Sequence, residues 1–161
     1  MSTRYYDYGF IYDSAGPMMY PNIKYSTVYL IGLLNTKVTN SIFKIICPTI
    51  HFTQSSVGKL PIIINNIESV ESYSDSNLSI SRLDWDAHET SWDFQSNELV
   101  SFDREKYMDI MSDYADFNNL LIDIAPPHLN SLESRYELYK TKWETNFRRL
   151  HTNEEELNRL S

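Results

Sequence analysis

Residues 49–64 read TIHFTQSSVGKLPIII, and whether they form strands decides the fold class. Within 49–54, Ile50 and Phe52 alternate with Thr49, His51 and Thr53, the period of two expected of a half-buried strand. After a short turn, LPIII at 60–64 is a second β-rich run, and Pro61 near its start suits an edge strand or a strand beginning. Residues 8–12, YGFIY, add a third aromatic, β-rich strand. It ends in a loop marked by Gly16-Pro17 and Pro21-Asn22.

A helix pair lies between these runs. Ser26 or Thr27 can cap a helix reaching Leu34, with Tyr25, Tyr29 and Leu33 repeating every four residues. Asn35 is a stop for it and an N-cap for the next. The next helix, 36–46, puts Val38, Ile42, Ile45 and Ile46 on one face and Lys37, Asn40, Ser41 and Lys44 on the other, and Pro48 closes it. Residues 65–81, with six serines, read as a polar connector. Beyond them, 101–124 and 130–160 are charged, periodic and helical, separated by Ala125-Pro126-Pro127. Leu132, Tyr136, Tyr139, Trp143, Phe147 and Leu150 form one apolar stripe. Thr152 with Glu155 resembles a capping box that restarts a helix over 153–160. The expected fold class is therefore α+β: residues 1–100 with short strands and a helix pair, then an acidic helical segment, 101–161.

The chain has 161 residues, 42% of them hydrophobic, enough for a core. Its one cysteine, Cys47, excludes an internal disulfide and a Cys-based zinc cluster, and its apolar neighbours predict a buried, inert thiol. No run reaches the ~20 apolar residues that cross a bilayer, and MSTRYYDYGF carries no secretory signal, so a cytoplasmic location is expected. The net charge is −8, yet residues 1–64 carry five basic and two acidic groups, +3, against −11 for the remainder. An anionic partner belongs to the first part.

DWDAHETSWDF, 84–94, gathers four carboxylates, His88 and two tryptophans. Asp84, Asp86, Glu89 and Asp93 could hold Mg²⁺ as phosphoryl-transfer sites do. The simpler reading is scaffold: Ser81 with Asp84 resembles a capping box at a helix N-terminus, where carboxylates are favoured, and Trp85, Trp92 and Phe94 anchor the turn on the core. On that reading loss of Trp92 unfolds the junction and loss of His88 costs little. No phosphate-cradling Gly-rich loop and no Gly-x-Ser-x-Gly elbow is present. In TIHFTQSSVGK, Thr53, Gln54, Ser55, Ser56 and Lys59, with His51, are side chains of the kinds that reach base edges and phosphates, and Lys37 and Lys44 lie nearby.

GFIYDSAGPMMYP (9–21), YLIGLLNTKVTNSIFKIICPTIHFTQSSVGKLPI (29–62), ISRLDWDAHETSWDF (80–94) and TNEEELNRL (152–160) together resemble the C-terminal half of PglX-type adenine-specific DNA methyltransferases of BREX phage-defence systems. The LLNTKV and KLP stretches are similar, more loosely, to target recognition domains of type I and type IIG restriction-modification proteins. The resemblance implies a partial target recognition domain over 1–100 and a helical spacer over 101–161. It also implies that the catalytic domain, with its S-adenosylmethionine loop and Asn-Pro-Pro-Tyr motif, lies upstream, so this chain is a non-catalytic fragment with no cofactor of its own. The expected partner is double-stranded DNA, bound weakly, with Lys37, Lys44, His51, Thr53, Gln54, Ser55, Ser56 and Lys59 as contacts. The alternative is a protein-interaction or dimerisation module that uses Tyr136, Trp143 and Phe147 to meet other BREX components or a second copy. A metal-dependent nuclease is a more distant third.

Overall fold

The computed structural model describes residues 2–12, 18–21, 26–48, 53–102, 104–118 and 131–161. Among them are six helices and no strand: α1 (Thr27–Leu34), α2 (Lys37–Ile46), α3 (Gln54–Val57), α4 (Ile67–Asp86), α5 (Arg104–Asn118) and α6 (Leu132–Leu160). The expected α+β class is overturned. Residues 8–12 form a turn and coil, and 61–66 are coil; Tyr8 and Ile11 are fully exposed and Ile63 largely so. A β-rich run needs a partner strand to satisfy its backbone, and neither has one among the described residues. Instead, the Tyr29 hydroxyl holds 61–66, lying 3.1 Å from the Ile63 carbonyl and accepting the Asn65 N–H at 3.3 Å. Most of the third run, 49–52, lies outside the described residues. Thr53, at its end, caps α3.

The helix pair is present where the capping residues place it. The Ser26 hydroxyl accepts the Tyr29 N–H, and Thr36, not Asn35, caps α2 by accepting the Thr39 N–H. Asn35 closes α1 through the Ile31 carbonyl at 3.0 Å and also grips the Thr3 backbone from both sides. The buried face of α2 is centred on Thr39 and Phe43, with Ile42 and Ile46 partly covered. Val38 and Ile45, expected inside, are exposed. The Thr39 and Thr36 hydroxyls both donate to the Leu33 carbonyl, which rolls α2 so that Thr39 faces inward.

The expected polar connector at 65–81 is most of α4. Serines are weak helix formers, and tertiary packing overrides them here. Val70 and Ser74 pack against α1 at Gly32, where an added Cβ would meet Ser74 Oγ at 2.1 Å and Val70 Cγ1 at 3.3 Å. Likewise α6 runs unbroken through Thr152. The break that a second cap would bring is absent because Asn153 is buried and its amide donates to Ser76 Oγ and Asn77 Oδ1 at 3.1 and 2.8 Å.

The chain forms two compact units, residues 1–78 with 153–161, and 79–152, whose boundaries fall inside α4 and α6, whereas composition puts a break at 100. Among its described residues the first unit has two apolar clusters. One gathers Leu34, Phe43, Cys47 and Leu60; the other gathers Tyr29, Val70 and Leu157. Cys47 is buried, as expected. The second unit packs Tyr107 and Ile110 of α5 against Leu138 and Tyr139 of α6, with Phe102 set edge-on to Tyr139. Its loop 97–102 is tied down by the Lys142–Glu98 ion pair at 2.6 Å and by Arg135 on the Leu99 carbonyl at 3.0 Å.

Candidate nucleic-acid interface

The lysines of α2 project from one face. Lys37, Ser41 and Lys44 are spaced by four and three residues, so they line up within about 60° around the helix, and all three are exposed. Lys44, in the last turn, complements the negative end of the helix dipole. The Lys37 N–H donates to Asn158 Oδ1 at 2.7 Å, fixing the start of α2 on the end of α6. Beside this line, exposed Val38 and Ile45 make an aliphatic edge, which periodicity alone assigned to the core. From residue 14 to residue 67 the chain holds four lysines and no carboxylate.

The second group of expected contacts lies around α3. Thr53 Oγ1 accepts the Ser56 N–H at 3.2 Å and lies 2.9 Å from Ser56 Oγ, so both side chains are used in capping α3. Gln54, Ser55 and Lys59 are exposed. Val57 and Leu60 dock α3 and its exit on Phe43 and Cys47, so the ends of α2 and α3 belong to one packed cluster. His51 lies outside the described residues.

Folding also changes the charge that surrounds these lysines. Because the end of α6 joins the first unit, that unit carries six basic and eight acidic groups, net −2, instead of the +3 of residues 1–64. The second unit carries eight and fourteen, net −6. Within the first unit, Glu156 hydrogen-bonds Arg159 at 2.6 Å, and that bond raises the guanidinium's pKa. Arg159 is thereby engaged by Glu156, and Lys37 and Lys44 of α2, with Lys59 just after α3, carry the local positive charge.

DWDAHETSWDF occupies the last turn of α4 and the turn after it. Asp84 and Asp86 thus sit at a helix C-terminus, not at the N-terminus expected, and the dipole does not favour them. Nor do the tryptophans anchor a core: Trp92 is 95% exposed and Trp85 57%. The buried member is Ser91, which sequence reasoning missed. Its hydroxyl donates to Asp86 Oδ1 at 2.7 Å and accepts the Asp93 N–H at 3.1 Å. His88 Nδ1 lies 2.7 Å from the Asp84 carbonyl. Glu89 is exposed and Phe94 half-buried. Among the described residues no three His, Cys, Asp or Glu side chains converge as metal ligands, and no helix is long and apolar enough to cross a membrane.

The expected apolar stripe of α6 is divided. Tyr139 is buried and Trp143 partly so, while Tyr136 and Phe147 are exposed. With Leu99, Lys140 and Arg148 they line an open groove of about 590 Å³ in the second unit.

No family model and no solved structure matches the chain. Among curated proteins, it is 29% identical over 160 residues to the adenine-specific methyltransferase PglX of Lacticaseibacillus casei (strain Zhang), covering 99% of this chain and 12% of that protein. It is 36% identical over 101 residues to the adenine-specific methyltransferase BrxX of Escherichia coli O9:H4 (strain HS), covering 62% of this chain and 8% of that protein. The chain therefore spans a small part of the length of the relatives it matches. It is homologous to a stretch of the PglX adenine-specific methyltransferase across nearly its whole length and to a stretch of BrxX over 101 residues.

Proposed function

We propose that this chain contributes DNA recognition to a BREX-type adenine-specific methyltransferase and does not itself transfer methyl groups. The observation that supports this reading, beside the homology, is the carboxylate-free face of α2, where Lys37, Ser41 and Lys44 project together. Lysines on such a line suit successive phosphates, and Gln54 and Ser55 on α3 are of the types that hydrogen-bond bases. S-adenosylmethionine and the methyl-transfer machinery belong, on this reading, to the remainder of the methyltransferase.

Fluorescence anisotropy with a labelled duplex tests it. Binding is expected to be weak at low salt and to fall with salt at a log–log slope of about −2 to −3, as for two or three neutralised phosphates. Combined charge reversal at Lys37, Lys44 and Lys59 should abolish it; unchanged binding would overturn the reading. Transfer of a labelled methyl group to DNA by the chain alone would overturn the non-catalytic part.

A second reading, a protein-interaction module of a defence complex, is favoured by the groove of α6, where Tyr136 and Phe147 leave aromatic surface in water. No binding of duplex at low salt, together with stable self-association lost on Phe147→Ser, would favour it over DNA recognition.

A further inference from the structure

The turn after α4 presents its indoles outward, and hydrogen bonds hold it in that form. Ser91 joins Asp86 to Asp93, the His88 N–H closes on the Trp85 carbonyl at 3.1 Å, and the His88 ring meets the Asp84 carbonyl. Trp92, beside the buried Ser91, is thereby displayed on a preorganised support, the arrangement that loses least entropy on binding. Tryptophan is the side chain most enriched at the energetic centres of interfaces. Residues 82–94 carry four carboxylates and Arg82, net −3, so the surface around the indoles is acidic. Its complement is an exposed aliphatic surface bordered by cations.

The first unit carries such a surface. On α2, Val38 and Ile45 are exposed at 44% and 83%, Lys37 and Lys44 flank them, and no carboxylate occurs in the helix. We propose that the indole turn of one copy docks on the α2 face of a second copy. Trp85 and Trp92 cover Val38 and Ile45, lysine ammonium groups lie over indole faces, and Asp84 and Glu89 meet the remaining lysine charge. The two surfaces differ, so the association is heterologous. It competes with DNA for Lys37 and Lys44, so duplex DNA disperses it.

Analytical ultracentrifugation of the full chain tests this. The mean mass of the wild type should rise with concentration at low salt and fall on adding salt or duplex. Trp85→Ala with Trp92→Ala should weaken association roughly tenfold or more. Both side chains are exposed, so helicity by circular dichroism should be unchanged, and so should DNA binding, which separates this surface from the DNA reading. Lys37→Glu with Lys44→Glu, and Asp84→Lys with Glu89→Lys, should each fail to associate alone, while their equimolar mixture associates. A wild type that stays monomeric at every concentration overturns the proposal, as does a tryptophan variant that associates like wild type or a mixture that remains monomeric. Association that Phe147→Ser removes and the tryptophan pair does not would put the second copy in the groove of α6 and also overturn it.

Discussion

The first half of α4 and its far end both depend on a buried serine, and they use it in opposite ways. Ser74 is buried against Gly32 of α1, and its hydroxyl has no hydrogen-bond partner among the described residues. What matters there is size: a small side chain lets two helices approach. Ser91, after the helix, is covered because its hydroxyl ties Asp86 to Asp93, while the large side chains around it point into water. One end is positioned by volume and the other by polar atoms. The first should respond to added bulk, the second to loss of a hydroxyl.

Urea denaturation followed by circular dichroism can sharpen or break that contrast. The largest effect is expected from Gly32→Leu, which drives a side chain into Ser74 and Val70 and should cost about 3 kcal/mol, the upper end of core overpacking. An unchanged midpoint would mean that α1 and α4 do not approach closely. Ser91→Ala should cost about 1–2 kcal/mol, because it strips the Asp93 N–H and the Asp86 carboxylate of a partner. Ser74→Ala, the same substitution at the other end, should leave stability unchanged or raise it by up to about 1 kcal/mol, since it removes a buried hydroxyl with no bond to lose. Equal losses at the two serines would break the comparison. The smallest effect is expected from Trp92→Ala, within about 0.5 kcal/mol as for an open surface site; a loss of about 3–5 kcal/mol would show the indole to be packed.

Legibility in the sequence follows the range of the interactions. Ser26 and Thr36 cap their helices through bonds reaching three residues; Ser26 was one of the two caps expected for α1, whereas Thr36 takes the place expected of Asn35 at α2. Leu60 to Ile64 could not, because Pro61 and three isoleucines report strand propensity and nothing about whether a second strand is present. The serines of α4 hide a helix that exists because Val70 and Ser74 meet α1, a contact some forty residues away in the chain. Val38 and Ile45 follow the same helical period as the buried residues, and only the threonine hydroxyls at the joint decide which face turns inward. In the candidate interface, Lys37 and Lys44 are exposed as their alternation with apolar residues suggests, whereas the capping bond between Thr53 and Ser56 was not foreseen. Of DWDAHETSWDF, the composition was visible and the roles were not. Tryptophan most often packs, and nothing local says that Ser91 would be the residue to do so.

Legible in the sequence alone were the helix pair at 27–46, the exposure of the α2 lysines, the burial of Cys47 and the resemblance to adenine-specific methyltransferases, all of which rest on neighbouring residues or on direct comparison of chains. The tertiary structure decided the absence of strands among the described residues, the continuity of α6, the outward face of Val38 and Ile45, and the display of Trp85 and Trp92. It also decided the charge around the lysines, since folding brings Glu154, Glu155 and Glu156 into the unit that holds them. Propensity and period act over a few residues, while burial and electrostatic environment are summed over everything the fold brings near.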